Sequence, residues 1–117
     1  MKKAYILNSC STCQRIIKEI DWQDDIQNIK EEAIEPEVLD AIAKEHGSYE
    51  SLFSRRAMKY KSMGLKNKDL SEKDYRNLIL EEYTFLKRPV FIIDGRSFVG
   101  NSKAVVEEIK NYLKENG

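Results

Sequence analysis

Two cysteines, Cys10 and Cys13, are the residues of this 117-residue sequence whose types and spacing most clearly suggest chemistry. The chain has no other cysteine, and only Ser11 and Thr12 separate the two. This CxxC spacing allows one thiolate to attack a disulfide or an oxidant, and allows the second thiol to resolve the resulting adduct. The alternative is a pair of buried cysteines that act as small apolar side chains. The polar neighbours on both sides favour the redox interpretation.

The cysteine pair lies where a predicted strand meets a predicted helix. Residues 3–7 form a short apolar run that is typical of a buried strand, and the apolar residues of 12–20 recur at helical spacing. In the first turn of a helix, free backbone N–H groups and the helix dipole stabilise a thiolate. We therefore expect Cys10 to be the exposed nucleophile with a lowered pKa, and Cys13 to be more shielded.

A second candidate group is Arg88-Pro89, which directly precedes the apolar run 90–93. Proline at the start of a strand contributes no N–H to the sheet, so the pair indicates a strand edge. Arg88 could contribute positive charge to the Cys10 thiolate. The alternatives are an ordinary strand-edge proline and a solvated arginine.

A third candidate group consists of Ser54, Arg55 and Arg56, followed by Lys59 and Lys61. Guanidinium groups match the geometry of carboxylates and oxyanions, so this group could bind an anionic substrate or a carboxylate of glutathione. On a helix, such a cluster is more commonly a solvated face.

Composition and charge exclude several classes of protein. The 20 Lys and Arg residues balance 20 Asp and Glu residues, which argues against nucleic-acid binding through an overall positive field. The sequence has no apolar run of roughly 20 residues, so we expect no membrane span. Its start does not resemble a secretory signal, and two cysteines then indicate a reducing, cytoplasmic location. With His46 as the single histidine, we expect no metal site.

The remaining patterns predict the element order β-α-β, a helical insert, then β-β-α. We expect a short second strand within 22–30. In the insert we expect helices at 36–46, at 48–63 with a break near Ser54, and from Ser71 onward. Two strands, 90–93 and 97–99, should be joined by an Asp94-Gly95 turn, and Asn101 or Ser102 should begin the last helix.

This order predicts an α/β fold in which a mixed sheet is covered by the first and last helices. We expect one domain over residues 1–117, with the helical insert at about 31–86. Met58 and Met63 of the insert are expected to be packing residues.

Three segments, NSCSTCQR, SRRAMKYKSMGL and FLKRPVFIIDGRSFVGNS, together resemble the arsenate reductase-like family of thioredoxin-fold proteins. This family includes Spx-type regulators, YffB-type proteins and a glutathione-linked reductase branch. The resemblance covers nearly the whole chain. It implies a thioredoxin-like fold and a cis peptide bond before Pro89.

The resemblance also implies roles for particular residues. Cys10 matches the nucleophile, and Arg56 and Arg88 match anion-binding arginines. Ser11, Thr12 and Pro89 are then expected to contact the substrate. The resemblance implies no bound cofactor, glutathione or another thiol as cosubstrate, and glutaredoxin or thioredoxin as a partner.

The sequence departs from the glutaredoxin-coupled arsenate reductases at two places. Those proteins have a third arginine where this chain reads Val99-Gly100-Asn101, and they usually lack a cysteine matching Cys13. Both differences are closer to the Spx-type and unassigned reductase branches. We therefore expect arsenate reduction to be weak or absent.

These observations favour a thiol-dependent oxidoreductase in which Cys10 attacks, Cys13 or glutathione resolves, and Arg88 and Arg56 hold an anionic substrate. One alternative is a redox-sensing transcriptional regulator of the Spx type, which would bind the RNA polymerase α subunit. Another is an inactive thioredoxin-like binding domain.

Overall fold

The computed structural model of the protein describes residues 2–116. Contacts within the chain divide it into two compact units. One unit comprises the residues up to Glu32 together with those from Arg88 onward, and the other is Ala33–Lys87. In the described part of the chain, no helix has the length and apolar character needed to cross a membrane.

The first unit is built on a four-stranded sheet with the order β2-β1-β3-β4. Strand β2 pairs with β1 in parallel, whereas the other two pairings are antiparallel. The predicted α/β fold with a mixed sheet is therefore confirmed. The strands are β1 (Lys2–Ile6), β2 (Asp25–Asn28), β3 (Val90–Ile93) and β4 (Arg96–Val99).

Two helices of this unit, α1 (Ser11–Glu19) and α5 (Lys103–Asn116), share one apolar core with the sheet. Each helix presents a stripe of apolar residues at helical spacing, and burying this stripe against the strands removes it from water. The fully or nearly fully buried core residues include Ala4, Ile6, Cys13, Ile16, Phe91, Ile93 and Ile109.

The turn between β3 and β4 and the start of α5 follow the sequence signals. Asp94 and Gly95 both have positive φ, +49° and +88°, as the two central residues of a type I′ hairpin turn require. The Ser102 hydroxyl accepts a hydrogen bond from the Val105 N–H at 3.2 Å. Ser102, and not Asn101, is therefore the residue whose side chain caps α5.

The second unit is helical. Its α-helices are α2 (Pro36–His46), α3 (Met58–Ser62) and α4 (Glu72–Glu81), with short 3₁₀ turns at Glu50–Leu52, Leu65–Asn67 and Tyr83–Phe85. Helix α4 begins with the predicted capping box, in which Ser71 and Asp74 exchange backbone-to-side-chain hydrogen bonds of 2.9 and 3.2 Å.

The predicted helix at 48–63 is interrupted at Phe53, next to the break expected near Ser54, and its first part is not α-helical. The chain forms a 3₁₀ turn and then extended backbone at Phe53, and it becomes α-helical only in α3. Phe53 is fully buried, and its ring stacks on Phe85 with the centroids 4.9 Å apart. The Ser54 N–H donates to the Phe85 carbonyl at 2.7 Å. Burial of this aromatic pair and the bond beside it replace the helical hydrogen bonds that the local pattern favours.

The expectation that Met58 and Met63 are packing residues is also wrong. Their exposed fractions are 89% and 46%, and α3 contributes no buried residue. The interior of this unit is instead filled by larger side chains, among them Phe53, Phe85 and Leu52. Two methionines are thus left facing solvent in a segment rich in basic residues.

We predict that Ser102→Ala lowers the free energy of unfolding by about 1 kcal/mol, because the Val105 N–H loses its hydrogen-bond acceptor at the start of α5. Urea denaturation measures this change. Asn101→Ala is the matched control and should change stability by less than half as much. Equal losses for the two variants would contradict the assignment of the cap to Ser102.

Candidate active site

Cys10 occupies the position directly before the first turn of α1. Its φ and ψ of −86° and 110° are extended, yet its carbonyl already accepts the first helical hydrogen bond, from the Gln14 N–H at 3.1 Å. Its own N–H donates to the Leu7 carbonyl at 2.9 Å. These two bonds fix the residue at the junction of the loop and the helix, beside the free N–H groups of the first turn.

Cys13 lies one turn further along α1 and faces the interior. It is completely buried in the core of the sheet unit, whereas Cys10 is only partly buried and packs against the edge of that core. Both cysteines are free thiols. The predicted difference in exposure between the two is therefore present in the structure.

The pKa of Cys10 is lowered from its ordinary value. Partial burial acts to raise it, but the backbone N–H and the side chain of Cys13, together with the positive charge of Arg88, outweigh this effect. Each of these groups stabilises the thiolate more than the thiol. Cys10 consequently has the greater thiolate fraction of the two cysteines at neutral pH.

The pKa of Cys13 moves the other way, to about 11. Burial is the largest cause, because a thiolate loses its hydration in the apolar core. The neighbouring Cys10 adds to the rise through its hydrogen bond and its negative charge. Cys13 is therefore a protonated thiol at neutral pH, beside a cysteine whose pKa is lowered.

Arg88 reaches this site through the pairing of β1 with β3. The two strands are antiparallel, with Tyr5 opposite Val90, so the end of β1 lies beside the start of β3. The Nε atom of Arg88 is buried, and the peptide bond between Arg88 and Pro89 is cis. Pro89 is buried too, and its carbonyl accepts a hydrogen bond from the Gly100 N–H at 2.9 Å.

The loop before Cys10 is held by two side chains that the sequence analysis did not single out for this role. The Asn28 Oδ1 atom accepts a hydrogen bond from the Asn8 N–H at 3.2 Å, and the Gln14 side chain donates to the Asn8 carbonyl at 3.3 Å. Asn28 is the last residue of β2, which runs parallel to β1. The carboxyl ends of two parallel neighbouring strands lie together, so a polar residue at the end of β2 is expected close to the loop that follows β1. This was the signal in the sequence that could have identified Asn28.

The other predicted site residues divide between the two units. Ser11 is exposed and Thr12 half-buried, both in the first turn of α1. Arg56 belongs to the second unit, where it is exposed in the loop before α3. Its neighbour Arg55 is instead engaged with Glu50 at 2.6 Å and with the Tyr75 hydroxyl at 3.2 Å. The role of Arg56 toward the substrate stays a prediction.

Metal ligands do not gather in the part of the chain that the structure describes. Among residues 2–116, no three His, Cys, Asp or Glu side chains lie close enough together to hold a metal ion. The reactive groups that the chain itself brings together at this site are two thiols beside the positive charge of Arg88.

The mixed sheet, its flanking helices and the CxxC pair at the start of α1 define a thioredoxin-like class of protein. The ArsC family matches residues 5–109, and the chain therefore belongs to the ArsC family. This result confirms the resemblance seen in the sequence. Comparison with curated proteins gave no match.

Solved structures share the fold over nearly the whole chain. An arsenate reductase from Vibrio cholerae has 18% identity and a TM-score of 0.78, covering 92% of this chain and 96% of that protein. A YffB protein has 23% identity and a TM-score of 0.77, covering 97% of both chains. An arsenate reductase related protein from Brucella melitensis has 24% identity and a TM-score of 0.65, covering 97% and 94%.

Membership of the ArsC family supports a thiol-dependent oxidoreductase in general. The solved structures, at 18–24% identity, share the fold of this chain.

We predict that Arg88→Ala raises the pKa of Cys10, because the positive charge that favours its thiolate is lost. Alkylation by iodoacetamide, followed across a range of pH, should then show its midpoint at higher pH and a slower rate at neutral pH. Arg88→Lys keeps the charge but loses the planar donor group, so it should restore part of the shift. Arg15→Ala removes an exposed cation of α1 paired with Glu19 and should leave the profile unchanged. An unaltered profile in Arg88→Ala would contradict the prediction.

Proposed function

We propose that the protein is a thiol-dependent oxidoreductase in which Cys10 is the nucleophile and Cys13, or an external thiol such as glutathione, is the resolving group. The observation that carries this proposal is that the pKa of Cys10 is lowered and the pKa of Cys13 is raised, although the two residues lie within one helical turn. Two structural cysteines would both be buried. Here one of them lies at the surface beside a cation, and the other lies behind it.

In the first step the Cys10 thiolate attacks one sulfur of a disulfide substrate. A new bond forms between this sulfur and Cys10, the substrate S–S bond breaks, and the other half leaves as a thiolate that takes a proton from water. The nearby Arg88 favours the reactive thiolate form of Cys10. The product at this stage is a mixed disulfide on Cys10.

In the second step Cys13 loses its proton, attacks the Cys10 sulfur and displaces the second half of the substrate as a thiol. The substrate has then gained two electrons, and Cys10 and Cys13 have become a disulfide. Two molecules of glutathione, or a reduced glutaredoxin or thioredoxin, return both cysteines to thiols. This cycle requires thiol reductants and no bound cofactor.

The order of these steps follows from the causes of the Cys13 pKa. Part of its rise comes from the charge of the Cys10 thiolate, which repels a second negative charge nearby. In the mixed disulfide Cys10 carries no charge, so this part of the rise disappears. Cys13 therefore becomes easier to deprotonate only after the first step, which delays the second attack until there is an adduct to resolve.

An anionic substrate fits the charges proposed for the site. Arg88 would supply a guanidinium donor, while Ser11, Thr12 and Pro89 would contact the substrate at the start of α1 and β3. The anion-binding role of Arg56 rests on the family resemblance alone. Glutathione disulfide, with its carboxylates, is one such substrate, and mixed disulfides of glutathione with proteins are another. The Spx-type alternative would use the same pair of cysteines as a sensor, with the RNA polymerase α subunit as its partner.

We predict that Cys10→Ser abolishes reaction with glutathione disulfide, because the only cysteine with a lowered pKa is lost. Cys13→Ser should still react but stop as a mixed disulfide until reduced glutathione is added. Intact mass spectrometry identifies the trapped adduct as a gain of one glutathionyl group. Ser9→Ala, a change of an exposed residue in the same loop, is the control and should cycle normally.

Three results would argue against this scheme. An adduct trapped on Cys10→Ser would reverse the roles of the two cysteines. Normal cycling in both single variants would favour the inactive binding domain. Rapid oxidation of the pair without catalytic turnover, together with binding to the RNA polymerase α subunit, would favour the Spx-type alternative.

We predict weak or undetectable arsenate reduction with glutathione and glutaredoxin. The position resembling a third anion-binding arginine is Gly100, and loss of one charge-assisted donor weakens oxyanion binding by about 1.5–3 kcal/mol, roughly tenfold to a hundredfold. The assay follows NADPH oxidation through glutathione reductase, with an arsenate reductase of the family in parallel. Turnover as fast as that of the reference enzyme would contradict the prediction.

The geometry of Gly100 also limits the obvious gain-of-function variant. Its φ of +99° lies in the left-handed region, although nothing approaches within 4 Å of the place where a Cβ would be. Gly100→Arg therefore meets no steric clash but strains the backbone by about 1–3 kcal/mol. We expect this variant to be less stable, which limits any gain in arsenate reduction.

A further inference from the structure

The segment 55–68 concentrates positive charge and contains no acidic residue of its own. It contains six of the ten Lys and Arg residues of the second unit and none of that unit's ten Asp and Glu residues. Arg55 and Lys59 are paired, with Glu50 and Glu82, each at 2.6 Å. Among the residues that the structure describes, no ion-pair partner lies against Lys61, Lys66 or Lys68.

The same segment also contains large apolar side chains that are exposed to solvent. Of the three large apolar side chains that are exposed in the described chain, two are Met58, at 89%, and Met63, at 46%. Exposed methionines with their flexible, polarizable side chains are typical of surfaces that bind protein segments. We define the basic face as Met58, Lys61, Met63, Lys66 and Lys68.

Backbone hydrogen bonds hold the basic face together as two consecutive turns. The Met63 N–H donates to the Lys59 carbonyl at 2.9 Å, and the Gly64 N–H donates to the Lys61 carbonyl at 3.0 Å. After Gly64, the Lys68 N–H donates to the Leu65 carbonyl at 3.1 Å. The charges and the methionines are therefore presented by a short ordered segment.

A shallow groove of about 330 Å³ adjoins the basic face. Met63 and Lys68 line it together with Leu65, Leu70 and Leu78, and two carboxylates, Asp69 and Asp74, complete its wall. Apolar walls can receive an aliphatic side chain from a partner. DNA and RNA have no aliphatic side chains, so the apolar lining of the groove favours a polypeptide partner.

We propose that the basic face docks an acidic segment of a partner protein, which places an aliphatic side chain in the groove and its carboxylates against Lys61, Lys66 and Lys68. Charge complementarity identifies this partner, since three unpaired ammonium groups attract carboxylates and steer association. The exposed thioether of Met58 then covers apolar surface of the same segment. This surface is independent of Cys10 and Cys13 and does not require the proposed redox cycle.

The test measures fluorescence anisotropy of labelled short peptides with the full-length protein. A peptide of repeating Glu-Glu-Leu should bind, Glu-Glu-Ser should bind more weakly because it lacks the aliphatic side chain, and Lys-Lys-Leu should not bind. The triple variant Lys61→Glu, Lys66→Glu, Lys68→Glu should weaken binding of the first peptide by about tenfold or more. Met58→Ser should weaken it by a smaller factor.

The matched control is the triple variant Lys18→Glu, Lys30→Glu, Lys114→Glu, which changes the net charge equally at exposed sites of the other unit. It should bind the Glu-Glu-Leu peptide like the unaltered protein. The triple variant with glutamine at the three basic-face positions repeats the test without adding negative charge. Cys10→Ser should retain binding, which separates this proposal from the redox cycle.

Several outcomes would overturn the proposal. One is absence of peptide binding, and another is equal weakening by the control triple variant. Tighter binding of a short DNA duplex than of the peptide, lost in the basic-face variant, would assign the face to nucleic acid. Self-association in sedimentation that the basic-face variant abolishes would assign it to a second copy of the chain.

Discussion

Burial of Cys13 in the core is the constraint on which the site depends. This side chain is completely inaccessible and packs with the apolar residues of β1 and β3, so the rotation of α1 about its axis is fixed. With that rotation fixed, Cys10, three residues earlier and directly before the first turn of α1, lies near the edge of the same core. Cys10 is placed there, close enough to Cys13 for the two to alter each other's pKa, yet partly exposed to solvent. The same packing thus raises the pKa of the buried Cys13, and it leaves Cys10, whose pKa is lowered, partly exposed.

The second requirement is a cation near the thiolate, and the strand order supplies it. Residues 10 and 88 are far apart in sequence, but the antiparallel register of β1 and β3 brings the end of one strand to the start of the other. Gly100 takes part in this arrangement through its backbone, because its N–H donates to the Pro89 carbonyl. This bond joins the residue that follows β4 to the residue directly after Arg88.

Local signals predicted most of the fold, because each was a short pattern with one structural solution. The Asp94-Gly95 turn, the Ser71-Asp74 capping box and the apolar stripes of α1 and α5 all formed as expected. The pattern failed where contacts distant in sequence decided the structure. Phe53 has extended and not helical backbone, because its ring packs against Phe85, more than thirty residues later in the sequence. No spacing rule for the 48–63 segment contains that information.

For the site, the sequence identified the cysteines, the helix end and Arg88 as a candidate, the anion-binding role of Arg88 came from the family resemblance, and Asn28 was missed. The reason is that Cys10 and Cys13 are positioned by one helix, while Arg88 and Asn28 reach the loop from two different strands. The exposed methionines Met58 and Met63 are a second case in which contacts distant in sequence decided the outcome. A sequence pattern assigns such apolar residues to the core because it does not show which other side chains fill the interior. In this unit aromatic rings fill it, and the two methionines are exposed. Sequence patterns therefore misassign apolar residues that the packing leaves at the surface. Because these residues are exposed, they are available to bind another molecule.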